Sequence, residues 1–118
     1  MVKIKGITAR ENKAIAEYER LLLSKFSNRI KKLMLFGSKA RGTSSPNSDI
    51  DILVVITKNG KSIRRDIAAL THEPIARFEV ELSPIVIEED DLKEWSPFIA
   101  HIKKEAVVIW TKKSKTSM

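Results

Sequence analysis

Two aspartates one residue apart, Asp49 and Asp51, open an apolar run ending at Ile56, and Gly37-Ser38 closes the apolar run before it. Alternation along a strand puts both carboxylates on one face and Ile50, Ile52 and Val54 on the other. Like charges so placed lose hydration and raise each other's pKa. A hard divalent cation such as Mg²⁺ relieves that cost, because it takes carboxylate oxygens together with phosphate oxygens and water. At the end of the first run, a glycine lets backbone amides approach a phosphate with no Cβ in the way, and Ser38 offers a hydroxyl. Arg41 adds a fork of donors suited to phosphate. The chemistry these residues describe is the gripping of a phosphate chain beside a cation. An isolated Asp-x-Asp more often flanks a surface turn. Here Gly-Ser, Arg-Gly and Ser-Asp stand in fixed order between two apolar runs, which argues against that reading.

Several elements must hold these residues in place. Thr8-Ala9-Arg10-Glu11 has the form of a capping box, and Ile15, Tyr18, Leu22 and Phe26 recur behind it at helical spacing, so a helix is expected over 9–26. A strand is expected over 29–36, then a Gly/Ser-rich loop over 37–48 and a second strand over 50–56. That loop is too short for a crossover helix, so the two strands are expected side by side and antiparallel. A turn follows at Lys58-Asn59-Gly60-Lys61, then a helical pattern over 62–77 that Pro74 should kink or end. Phe78 to Ile87 reads as a third strand, and Pro84 suggests an edge position or a bulge. The acidic stretch Glu88 to Trp95 reads as a short helix, and Ser96-Pro97 caps another reaching about Glu105. Ala106 to Trp110 is a last strand. The order describes an α/β (α+β) fold, one mixed sheet flanked by helices, over 1–110, with a basic disordered tail over 111–118.

At 118 residues the chain holds one domain with a real core. No apolar run approaches a membrane span, no signal peptide opens the chain, and no cysteine is present, so the expected setting is cytoplasmic. The formal net charge is +7, with bases crowding the first part and acids collecting over 79–94. Such a balance attracts anions. Aromatics are not interleaved with the bases in the way that stacks nucleobases, so direct nucleic-acid binding is not favoured.

Gly37-Ser38-Lys39-Ala40-Arg41-Gly42, followed by Ser48-Asp49-Ile50-Asp51-Ile52-Leu53-Val54, resembles the GSxARG…SDxDxxV signature of the minimal nucleotidyltransferases in the DNA polymerase β superfamily. The stretches from Ser83 to Val86 and from Ser96 to Ile99 also resemble small prokaryotic members. The resemblance implies a polymerase-β-like fold. It also implies Mg²⁺-dependent transfer of a nucleoside monophosphate, AMP from ATP being the leading case, with release of pyrophosphate. It assigns Gly37, Ser38, Arg41 and Ser48 to the triphosphate and Asp49 and Asp51 to the metal ions. In-line attack with two ions about 3.5–4 Å apart calls for a third carboxylate. Family members often supply it from a neighbouring strand; here Glu81 and Glu79, expected to share a face of the third strand, stand in place of the usual aspartate, and Glu81 is the choice. The resemblance further implies an antitoxin that adenylylates a helical ribonuclease toxin of the HEPN type, alone or in an oligomer.

Two rivals stand beside this: a transferase acting on a small antibiotic-type molecule, and a non-catalytic nucleotide-binding subunit that silences a toxin by contact. His72 and His101 have no second ligand at metal spacing. Arg65 and His72 match the Arg-x₆-His spacing of the helical ribonucleases, but the chain has too many strands for that fold, and the match is read as coincidence. Trp95 and Trp110 read as packing residues or partner contacts, and the acidic run as a helix start favoured by the dipole.

Overall fold

The computed structural model describes residues 6–42, 48–57 and 61–112. Helix α1 (Ala9–Phe26) leads into strand β1 (Ile30–Phe36), a short helix α2 (Ser38–Arg41) and strand β2 (Ile50–Ile56). Helices α3 (Lys61–Ala69) and α4 (His72–Phe78) precede strand β3 (Leu82–Glu88). A 3-10 helix (Glu89–Lys93), helix α5 (Pro97–Glu105) and strand β4 (Val107–Thr111) follow. The strands form one mixed sheet in the order β3-β2-β1-β4. As expected, β1 and β2 are antiparallel neighbours; β4 pairs antiparallel with the other side of β1, and β3 lies parallel to β2 at the edge. An edge place suits Pro84, whose missing amide costs the ladder nothing on the open side.

Alternation divides the core into two layers. Leu33, Leu35, Ile50, Ile52, Val54 and Ile56 pack under α1 and α3, with Ala14, Tyr18, Leu22 and Ile67 from the helices. Met34, Leu53 and Val55 face the other way and meet Ile99 and Ile102 of α5. Position 51 shares parity with 53 and 55, so Asp51 belongs to the α5 face, at the end where β1 runs out.

Local signals place most helix ends. The Thr8 amide donates to Glu11 Oε1 (2.9 Å) and the Glu11 amide donates to Thr8 Oγ1 (3.0 Å), completing the capping box. The Ile99 amide donates to Ser96 Oγ (3.1 Å) at the start of α5. Four expectations need correction. The helical pattern over 62–77 is two helices, broken at Leu70-Thr71 rather than at Pro74. Pro74 has no amide to offer the Leu70 carbonyl, so one helix stops there. The next begins with Pro74 in its first turn, where a missing amide is harmless. Next, α4 continues through Phe78 and Glu79 turns left-handed (φ 55°), so β3 starts at Leu82, not Phe78. Third, the 37–48 loop contains α2. Last, β4 ends at Thr111 rather than Trp110, and the Lys112 amide donates to the Lys31 carbonyl (3.0 Å). Residues 43–47, 58–60 and 113–118, which carry the Ser45-Pro46-Asn47 return, most of the Lys58–Lys61 turn and the rest of the tail, lie outside the described residues. Among the described residues, no helix is long and apolar enough to cross a membrane.

Candidate active site

The β1–β2 register sets the geometry. Phe36, the last residue of β1, pairs with Asp51, so Gly37 turns the chain directly beside the Asp51 carboxylate. Gly37 has φ 75°, and a Cβ there would collide with Asp51 Oδ2. Only glycine meets both demands. Immediately beyond it, the Ala40 and Arg41 amides donate to the Gly37 carbonyl (3.1 and 3.2 Å), winding α2 and placing Ser38 at its first position. Gly42, left-handed at φ 73°, ends it.

Asp51 lies on the α5 face by strand parity, and Asp49 stands just before β2 begins. Asp51 is half-buried; burial first, and the Asp49 charge second, push its carboxyl above the usual range. Asp49 is exposed, and Ser48 before it is half-exposed. The third carboxylate is less clear-cut. The Ile50 amide donates to the Glu81 carbonyl (2.8 Å), and continuing the Ile50–Leu82 pairing back by one residue brings Glu81 level with Asp49. The Glu81 side chain is exposed, and among the described residues no three His, Cys, Asp or Glu side chains converge to hold an ion. Glu79 lies off the strand at the end of α4, so it does not share a strand face with Glu81. At the level of Asp51, β3 presents Ser83.

Arg41 is exposed and faces Glu105 of α5, Nη1 to Oε2 at 3.4 Å. Glu105 also pairs with His101 Nε2 at 2.8 Å. The Phe36 ring meets Phe98 and His101 edge-on, with centroids 6.0 and 5.5 Å apart. Helix α5 therefore borders the site.

One participant escapes sequence reasoning. Lys39, inside the Gly-Ser-x-Ala-Arg-Gly stretch, is buried rather than solvated, and its Nζ lies 2.6 Å from Glu11 Oε2. Burial alone would raise the Glu11 pKa. The bonds from Lys39 and from the Thr8 amide outweigh it and hold the carboxyl below its usual range. The start of α1 is thus tied to α2, the element that carries Ser38. No spacing marks this pair, because a four-residue helix has no periodicity to read. The residues set aside behave accordingly. Arg65 and His72 are exposed on α3 and α4, Trp110 packs half-buried on the core, and Trp95 stands 80% exposed.

A glycine turn pressed on one carboxylate, with the charge of a second acting on it, could hold a phosphate chain beside a cation. A family profile described as "nucleotidyltransferase domain" matches residues 15–115. The chain belongs to that family. Two proteins of Methanocaldococcus jannaschii, both provisionally named protein adenylyltransferases, are similar to it. One is 58% identical over 45 residues, covering 38% of this chain and 45% of the relative. The other is 36% identical over 97 residues, covering 77% and 65%. The matched segments thus span about half to two-thirds of these relatives' lengths. A crystal structure of a provisionally assigned nucleotidyltransferase from Sulfolobus solfataricus is 25% identical at a TM-score of 0.59, covering 95% of this chain and 93% of that one. A toxin–antitoxin structure with AMP-PNP is 21% identical at a TM-score of 0.54, covering 81% and 73%, and so shares the fold. The chain thus has the fold of the nucleotidyltransferase family, one mixed sheet flanked by helices.

Proposed function

We propose that this domain transfers a nucleoside monophosphate, AMP from ATP in the first instance, to a hydroxyl on a partner protein, and that the partner is the toxin of a toxin–antitoxin pair. The observation that carries the site is the Gly37 turn seated on the Asp51 carboxylate. Support for a protein acceptor comes from the names of the two Methanocaldococcus relatives, and for a toxin from the toxin–antitoxin structure that shares the fold. HEPN-type architecture of that toxin belongs to the same proposal.

Asp49 and Asp51 fit a divalent cation. Their oxygens are hard donors, and burial first and the Asp49 charge second raise the Asp51 carboxyl, costs that a bound cation would offset. Bound there, Mg²⁺ would supply charge neutralisation for the triphosphate and acidify the attacking hydroxyl. The chain's own residues do the rest. Ser38 and the Gly37 turn hold the triphosphate, Ser48 sits at the entry to β2, and Arg41, turned from Glu105, adds a guanidinium fork. The acceptor hydroxyl gives up its proton to water, its oxygen bonds to the α-phosphorus, the bond from that phosphorus to the bridging oxygen breaks, and pyrophosphate leaves. Glu81, level with Asp49, is the third carboxylate of this reading.

A second reading has one observation in its favour. Among the described residues no third carboxylate converges with Asp49 and Asp51, which suits a nucleotide-binding subunit that silences its partner by contact. The experiment incubates the protein with α-labelled ATP, Mg²⁺ and the co-encoded neighbour. Label on the neighbour, abolished by Asp49→Asn with Asp51→Asn and reduced at least tenfold by Glu81→Gln, supports transfer. Label that persists in the double variant refutes it. Silencing of the neighbour without any label supports contact.

A further inference from the structure

The acidic corner between β3 and α5 is the part of the surface that the site does not use. Residues 88–94 hold five carboxylates against one lysine, in a chain of net charge +7. Directly after them stand Trp95 and Phe98, 80% and 43% exposed. Both project from a rigid corner. The Glu88 amide donates to Asp91 Oδ2 (2.9 Å), Ser96 caps α5, and Ile99 is buried beneath. A cleft of about 260 Å³ runs between Asp91, Glu94, Trp95 and Phe98 with Ile87 at its floor. A protruding tryptophan on a capped corner, flanked by Asp91 and Glu94, has the character of an interface anchor rather than of a pocket wall for a small molecule. The patch is also continuous with the site, because the Phe98 ring meets Phe36, which pairs with Asp51.

We propose that Trp95 and Phe98 dock the acceptor protein, seating in an apolar pocket rimmed by lysine and arginine, and so bring the acceptor hydroxyl to Asp51. Opposite charge around the pocket selects the partner and speeds encounter. This inference rests on the transfer of nucleotide to a protein.

The test uses the full chain, with an extract of the cells that express it and α-labelled MgATP. Trp95→Ala and Phe98→Ala are expected to lower labelling of the acceptor at least tenfold at limiting extract. Raised salt lowers labelling by the wild type. The rise in Tm caused by MgATP stays unchanged in both variants. A photo-crosslinker introduced by Glu94→p-benzoylphenylalanine reads docking without transfer. It is expected to join the chain to the protein that takes up label, and Trp95→Ala removes that product. Labelling of the Trp95→Ala variant equal to wild type overturns the proposal, as does crosslinking to nothing or only to a second copy of this chain. A salt-sensitive crosslink to a basic protein that takes up no label keeps the docking surface and refutes transfer. A wild type that shows no MgATP shift refutes the nucleotide reading alone.

Discussion

Glu11→Ala probes how far the site depends on an ion pair that no local rule foresees. Glu11 and Lys39 side chains are 7% and 2% exposed, with 2.6 Å between their charged atoms. Removing the carboxylate leaves a buried ammonium short of its counter-charge. It also removes the acceptor of the Thr8 amide, so the expected loss is about 3–5 kcal/mol. A domain of this size registers that as a drop in Tm of roughly 10–20 °C. Lys39→Met should cost less, because the Thr8 amide still satisfies Glu11. The double variant Glu11→Leu with Lys39→Met puts apolar volume where the pair was, and should recover to within about 1–2 kcal/mol of wild type. Urea unfolding with an unchanged slope measures all three, and the cycle yields the coupling. Acid adds an independent check. The folded Glu11 pKa is depressed, so its stabilisation is complete above the unfolded value and lost as pH falls through the folded one. The wild type should therefore lose stability below about pH 4.5, with a component absent from Glu11→Gln. Single variants costing under ~1 kcal/mol, summing without coupling in the double, would show that the pair is solvated. The claim that α1 anchors α2 would then fall.

Other outcomes follow from single contacts. Gly37→Ala should abolish the MgATP-induced rise in Tm and destabilise the apo-protein, since its Cβ meets Asp51 Oδ2 and φ is positive; an unchanged shift would mean that the turn does not adjoin the nucleotide. Asp51→Asn should leave apo-stability equal or slightly higher, because it removes a half-buried charge that Asp49 opposes, yet it should erase the Mg²⁺-dependent part of the Tm shift. Tyr18→Phe removes the hydroxyl that donates to the Ile67 carbonyl (2.7 Å) in the core, and urea unfolding should report a loss of about 1–2 kcal/mol.

What the sequence alone determined was the caps and alternation set within three residues along the chain, and the antiparallel pairing imposed by the short link between β1 and β2. The Thr8–Glu11 box, the Ser96-Pro97 cap and the alternation of β2 all appear where they were read, because each depends on groups that the local backbone brings together. That the Asp49 charge acts on Asp51 followed from their spacing alone. Break points were less legible. The stop at Leu70 depended on a proline four residues ahead, and the late start of β3 on a helix that ran past Pro74. The tertiary structure alone decided which distant residues share the site. Gly37 must be glycine because of Asp51, Lys39 is buried because Glu11 receives it, and Arg41 meets a carboxylate 64 residues away. Whether a charge is solvated or buried depends on what packs over it, and that is set by contacts between elements the chain joins only after long detours.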